Sequence, residues 1–210
     1  SPNAFVICIT NPLDVIVSAL QKYTNFKHNK VVGMAGILDT SRFIFFLSEH
    51  LGVETSKIKS FVLGGHGDTM VAMLNHTYID GKPISEFVKN GKLKKDKLNF
   101  IIDRTKNGGA EIVKFLEKGS AFYAPASSGV EMADSYLNNR KKQLPCAAFL
   151  NGEYGVKSLY VGVPVVIGSK GVEKVIEINL SSTEKENFNK SIESVKNLYE
   201  AAIKIDPTLK

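Results

Sequence analysis

Phe5-Val6-Ile7-Cys8-Ile9 is the stretch that most limits how this chain can fold. Five apolar residues follow one another without alternation, so both faces of the strand they form must be covered. Such a strand belongs in a parallel sheet flanked by helices, where each strand reaches its neighbour through a helical crossover. The next residues agree: Leu13, Ile16, Val17 and Leu20 mark one face of a helix from Pro12 to about Tyr23. Asn11 stands where an N-cap belongs, and Pro12 where a first-turn proline is tolerated. Few further strands of this kind follow, so the chain is expected to open inside an α/β domain.

The remainder changes character. An apolar-rich helix is expected from Asp39 to about Leu51, stopped by Gly52. Ile44-Phe45-Phe46-Leu47 is apolar on all sides of that helix, which predicts burial between layers or against a second subunit. Lys59–Leu63, Met70–Leu74 and Thr77–Ile79 read as strands, with Asp80-Gly81 as a hairpin turn. A long helix follows from about Lys94 to Glu117, weakened in its middle by Gly108-Gly109. Another runs from about Pro125 to Asn138, carrying Val130, Met132, Ala133 and Leu137. Pro145–Leu150, Leu159–Ile167 and Val172–Ile178 then predict an antiparallel meander with turns at Asn151-Gly152 and Lys170-Gly171. Ser181-x-x-Glu184 is a capping box opening a last helix, whose buried stripe is Phe188, Ile192, Val195 and Tyr199. The fold class is therefore α/β + α+β: the tail of a parallel sheet, then a mixed α+β part.

Composition closes off several functions. No apolar run approaches the roughly 20 residues that span a bilayer, and nothing at the N-terminus reads as a signal peptide, so no membrane partner is expected. The net charge of +6 comes from scattered lysines, and the run from Lys92 to Lys97 lacks interleaved arginines or aromatics, so no nucleic acid is expected either. Two cysteines, both in apolar runs, make no disulfide framework; a reducing, cytoplasmic setting is the default. A modest positive field favours small anions.

Three segments carry chemistry: Ile9-Thr10-Asn11-Pro12, Leu38-Asp39-Thr40-Ser41-Arg42 and Gly64-Gly65-His66-Gly67-Asp68. His66 can take and return a proton near neutral pH, and Gly64, Gly65 and Gly67 would let the backbone come close to a ligand. A lone loop histidine is usually inert; here a carboxylate, a guanidinium and an amide accompany it. Asp39 can fix the imidazole tautomer and stabilise the imidazolium, although it could equally cap the helix it opens. Arg42 can hold a carboxylate through two parallel N–H···O bonds, although at three residues from Asp39 it could instead pair with it. His66-x-Asp68 alone is a poor metal signature, and His28, His50 and His76 have no partnered ligand spacing, so no metal is expected.

The order and spacing of these segments resemble the lactate/malate dehydrogenase family, NAD-dependent enzymes acting on 2-hydroxy acids, from the first residues to the last helix. Met34-Ala35-Gly36-Ile37-Leu38-Asp39, Gly65-His66-Gly67-Asp68-Thr69-Met70 and Gly119-Ser120-Ala121-Phe122-Tyr123-Ala124-Pro125 are more similar to its malate branch than to its lactate branch. Ala72 and Ile44 depart from the proline and second arginine that many relatives carry. The resemblance implies that residues 1–34 end a Rossmann dinucleotide-binding domain and 35–210 form the substrate-binding, catalytic domain. It implies His66 as proton acceptor and donor, Asp39 as its orienting acid, Arg42 on the substrate carboxylate and Asn11 on the reacting oxygen. Ile9, Thr10 and Asn11 would line the nicotinamide end of NAD, with a cis peptide before Pro12. The substrate would be a small dicarboxylate or 2-oxo acid, and the assembly a homodimer or homotetramer. No Gly-x-Gly-x-x-Gly opens a helix after a strand, so the dinucleotide fingerprint is missing. A chain with poor affinity for NAD on its own, folding without catalysis, is the competing expectation.

Overall fold

A computed structural model describes residues 1–210 of the chain. Its centre is a long hairpin, because the strands with the longest unbroken apolar runs must be covered on both faces. The first ten helices and strands are, in order, β1 (Val6–Cys8), α1 (Leu13–Thr24), β2 (Val31–Gly33), α2 (Gly36–Leu51), β3 (Ile58–Lys59), β4 (Val62–Leu63), β5 (Val71–Ala72), β6 (Tyr78–Ile79), β7 (Lys82–Pro83) and α3 (Ile84–Lys89). Then come α4 (Lys95–Leu116), α5 (Tyr123–Leu137), β8 (Lys142–Asn151), β9 (Lys157–Gly168), β10 (Gly171–Val175) and α6 (Ser182–Ile205).

The main sheet has the order β1-β2-β8-β9-β10. β1 and β2 are parallel, with Ile7 opposite Val32, as a strand–helix–strand unit requires. β8 and β9 pair antiparallel from Lys142 opposite Ile167 to Asn151 opposite Lys157, and β10 folds back on β9. Val161, Val163, Val165 and Ile167 are fully buried together with Leu150, Cys146 and Phe188. Each such side chain stabilises the fold by about 1.5–3 kcal/mol relative to exposure. β2 meets β8 at Gly33 opposite Ala147, which joins the parallel pair to the meander in one sheet.

A second core fills the space between α2, α4 and the small strands, built on Phe43, Leu47, Met70, Ile79, Leu93 and Ile101. The α2 helix begins at Gly36, a turn earlier than its composition indicated, so Asp39 lies inside the first turn and is not its cap. Gly52 ends it in the left-handed region at φ +64°, where a side chain would be strained. Phe45 is 53% exposed, so the Phe43–Leu47 face is inside while the opposite face is not. The expected strands at 59–63, 70–74 and 77–79 shrink to two-residue pairs. Leu74–His76 is a 3₁₀ turn, and α3 was not anticipated, because tertiary contacts rather than local propensity decide such short pieces. The last strand stops at Val175, short of Ile178. Val130 and Leu137 of α5 face outward while Met132 is buried.

The capping box of α6 is formed: the Glu184 N–H donates to Ser181 Oγ at 3.3 Å, and the Ser181 N–H donates to Glu184 Oε2 at 3.0 Å. Glu184 also accepts from the Asn75 N–H at 2.9 Å, which fastens the start of α6 to the turn after β5. No helix is long and apolar enough to cross a membrane.

Candidate active site

The ends of β1 and β4 and the first turns of α1 and α2 converge on one cavity of about 780 Å³. It is lined by Ile9, Thr10, Asn11, Leu38, Arg42 and His66, with Lys106 and Val113 of α4 and Ala121 and Phe122 beyond it. The three segments singled out by sequence thus meet in space. Asp39 is not on the wall; it lies behind His66, fully buried.

His66 Nδ1 is 2.9 Å from Asp39 Oδ2. That bond occupies Nδ1 and leaves Nε2 for the cavity. Burial pulls the imidazole down, but the hydrogen bond and charge of Asp39, joined by the charge of Asp14, outweigh it and leave His66 above its ordinary value. Asp39 makes no hydrogen bond to Arg42; its Oδ1 stands 3.7 Å from Nη1. Arg42 is therefore near enough to feel the carboxylate while its donors remain available. Its side chain is mostly covered, and burial lowers its proton affinity against the pull of Asp39. An arginine so placed still carries its charge at neutral pH.

What lets Arg42 lie against the cavity is α4. A Cβ built at Gly108 would come within 3.1 Å of Arg42 Cδ and 3.3 Å of Nε, and one at Gly109 within 3.6 Å of Nη2. The two glycines that weaken the helix by propensity open the groove in which the guanidinium rests. Sequence reasoning counted them only as a defect. Beyond Gly108 the helix leaves the core, and Val113 turns to the cavity.

The glycines around His66 act otherwise than expected. A Cβ at Gly65 would meet Val195 Cγ2 at 2.7 Å, and one at Gly64 would strike Ser191, so both glycines permit close packing against α6 rather than approach of a ligand. Gly67 alone has open space, with φ +126°. Ser191 Oγ accepts from the Gly65 N–H at 2.8 Å, pinning the loop to the C-terminal helix. Gly64 also bridges to Gly162 of β9. Sequence reasoning missed Ser191, which lies 126 positions from Gly65 and carries no local signal of that contact.

Asn11 is exposed and lines the cavity, but its side chain caps nothing: α1 begins at Leu13, with Pro12 at the cap position and no side-chain bond. The Asn11–Pro12 peptide is cis. Ile9 and Thr10, at the carboxyl end of β1, are exposed beside it. A second acid was missed. Asp14, in the first turn of α1, accepts from the His66 backbone N–H at 2.9 Å through Oδ2. Its sequence signal was a carboxylate in the otherwise apolar run from Leu13 to Val17.

An imidazole braced by a buried acid, in one cavity with a guanidinium at the end of a parallel strand pair, is an arrangement able to bind a small carboxylate and exchange a proton with it. Comparison with known proteins narrows the class. A family model for the lactate/malate dehydrogenase α/β C-terminal domain matches residues 37–205. A malate dehydrogenase of Pelagibacter ubique is 60% identical over 209 residues, which is all of this chain and 65% of that protein. The crystal structure of Cryptosporidium parvum malate dehydrogenase superposes with a TM-score of 0.93 at 50% identity, covering 95% of this chain and 64% of that one. The lactate dehydrogenase of the same organism, solved with lactic acid and β-nicotinamide adenine dinucleotide, gives 0.93 at 44% identity over 95% and 63%. The chain belongs to the lactate/malate dehydrogenase family. It spans about 65% of the length of the curated relative it matches.

Proposed function

We propose that the protein interconverts a 2-hydroxy acid and its 2-oxo acid, with malate and oxaloacetate as the pair and NAD as cofactor. The observation that carries this reading is the 2.9 Å His66–Asp39 pair behind the same cavity that Arg42 lines. Arg42 would take the substrate C1 carboxylate with its fork of N–H donors. Asn11 would donate to the reacting oxygen, and Nε2 of His66 would receive the hydroxyl proton during oxidation and return it during reduction. Asp39 would favour the imidazolium so formed, since a buried carboxylate beside the ring stabilises its charge. Lys106 adds a second cation to the wall, which suits a dianionic substrate.

When bound, NAD supplies hydride acceptance and donation. Ile9, Thr10 and Asn11 fit its nicotinamide end: they are exposed at the carboxyl end of β1, where ligands of parallel sheets bind, and they line the cavity with His66. No pyrophosphate-binding glycine loop accompanies them in the 210 residues. The exposed Phe45 and the family relationship support assembly as a homodimer or homotetramer.

The test is NADH oxidation with oxaloacetate and with pyruvate. It is run on the 210-residue chain and on a chain extended upstream by roughly 100 residues, about one domain. Turnover of oxaloacetate in preference to pyruvate in either form, lost in His66→Asn, supports the proposal. A preference for pyruvate moves the reading to lactate. No turnover in either form removes it.

A further inference from the structure

The cavity at His66 holds more positive charge than one carboxylate can use. Arg42, His66 and Lys106 are on its wall, and none of the residues that line it is an acid. Asp39 and Asp14 are buried behind the histidine and do not reach the cavity surface. Lys106 is the cation without a partner: it is half-buried, yet no ion pair of the structure includes it. It also lines a neighbouring cavity of about 630 Å³, whose one acid is Glu184. Glu184 is already engaged, accepting from Ser181 and from the backbone and side chain of Asn75. Glu111, further along α4, is held by Arg104. Neither side of Lys106 offers it a free carboxylate.

Its place on α4 ties it to Arg42. Lys106, Gly109, Ala110 and Val113 line the cavity at the spacing of a single helix face. Gly108 and Gly109 are the groove in which the guanidinium rests. Lys106 is rooted three residues from Gly109, about 4.5 Å along the helix axis. The two cations are thus set along one stretch of the same helix, and only Arg42 has an acid, Asp39, close by. Like charges in a cavity shielded from bulk water repel, and an anion that answers both at once relieves them.

We propose that Lys106 is a specificity-determining residue that takes the second carboxylate of a dicarboxylate substrate, so that the 210 residues themselves favour a dianion over a monocarboxylate. The proposal rests on the reading that Arg42 holds the C1 carboxylate, and it names the group that reads the other end. A substrate ending in a methyl group would meet the Lys106 ammonium with no charge to offer it. That mismatch discriminates against the monocarboxylate as much as the new ion pair favours the dicarboxylate.

The experiment is a titration of the 210-residue chain with L-malate and with L-lactate, followed by NMR through the amide shifts of Gly67 and Val113 on the cavity wall. It needs no turnover, so it can fail independently of the NADH assay. Malate should bind at least about tenfold more tightly than lactate, the range of one hydrogen-bonded charge. Lys106→Met keeps the length and the helix propensity; it should weaken malate about tenfold and lactate less than about twofold, while Lys106→Arg keeps the preference. Lys190→Met removes a charge that lines only the neighbouring cavity and pairs with Glu186, and it should leave malate binding unchanged. Arg42→Lys should weaken both anions alike, which separates the C1 contact from the distal one. A malate preference that survives Lys106→Met, or that falls equally in Lys190→Met, overturns the proposal and leaves the proposed reaction standing. Equal weakening of both anions in Lys106→Met overturns it too. If neither anion binds, the proposal falls, and the NADH assay still decides the reaction.

Discussion

Replacing Gly108 by alanine should separate folding from substrate binding, because the two respond with opposite sign. Gly108 is buried in the middle of α4, and there alanine improves helix propensity by about 1 kcal/mol. The added methyl would stand 3.1 Å from Arg42 Cδ and 3.3 Å from Nε, nearer than an ordinary carbon contact of about 3.5–4.0 Å. Helix backbone on one side cannot yield, so the arginine must move by several tenths of an ångström. A fork that grips a carboxylate through two aligned bonds loses at least one of them by such a shift. A hydrogen bond to a charged group contributes about 1.5–3 kcal/mol, so affinity for the 2-oxo acid should fall about 10- to 100-fold. Thermal unfolding and steady-state kinetics on the same preparation measure both effects. The expected result is an unfolding temperature equal to or above wild type, a KM for oxaloacetate raised by that factor, and a smaller change in kcat. If KM stays at the wild-type value while the unfolding temperature rises, the groove under Arg42 is not what places it, and the reasoning is wrong.

Two other perturbations test neighbouring parts of the site. Arg42→Lys keeps the charge and loses the fork, so substrate binding should weaken at least tenfold while urea-unfolding free energy changes by less than about 1 kcal/mol; equal loss of both would return Arg42 to a structural partner of Asp39. The Asp14 carboxyl has a folded value of about 6 against 3.8 unperturbed, so the folded state binds its proton more tightly than the unfolded chain. Its contribution is fully present below the unfolded value and is lost as pH rises to the folded one. Asp14→Asn should therefore gain stability relative to wild type between pH 4 and 6, by about 3 kcal/mol in all, and hold a constant difference above that. A difference independent of pH across that interval, in denaturant melts, would show that the carboxyl is not strained by burial.

Much of this protein was legible in the order of its residues. Local rules are sufficient where a signal is carried by neighbours along the chain. The unbroken run Phe5–Ile9 required a strand, Gly52 required a helix end, and Ser181 with Glu184 required a helix start; the fold contains each, although the strand spans only Val6–Cys8, is partly buried, and leaves Ile9 exposed. The three chemical segments were also recognisable by residue type and spacing. Asn11 was misjudged as a cap because the position of a polar residue before a helix does not reveal where its side chain points. Short strands between 58 and 83 were misjudged because two-residue pairs are decided by what they pack against.

Residues brought together from distant parts of the chain had no local signature at all. Asp14 and His66 are 52 positions apart, and Gly65 and Ser191 are 126 apart. Gly108 reads as a weak point in α4 until Arg42 is seen lying against it. The sequence by itself determined which groups are available for proton exchange and anion binding, because side-chain chemistry is a local property. Only the tertiary structure decided which acid meets the ring, which meets the backbone and which helix makes room for the guanidinium, because burial and distance arise only when separate elements pack.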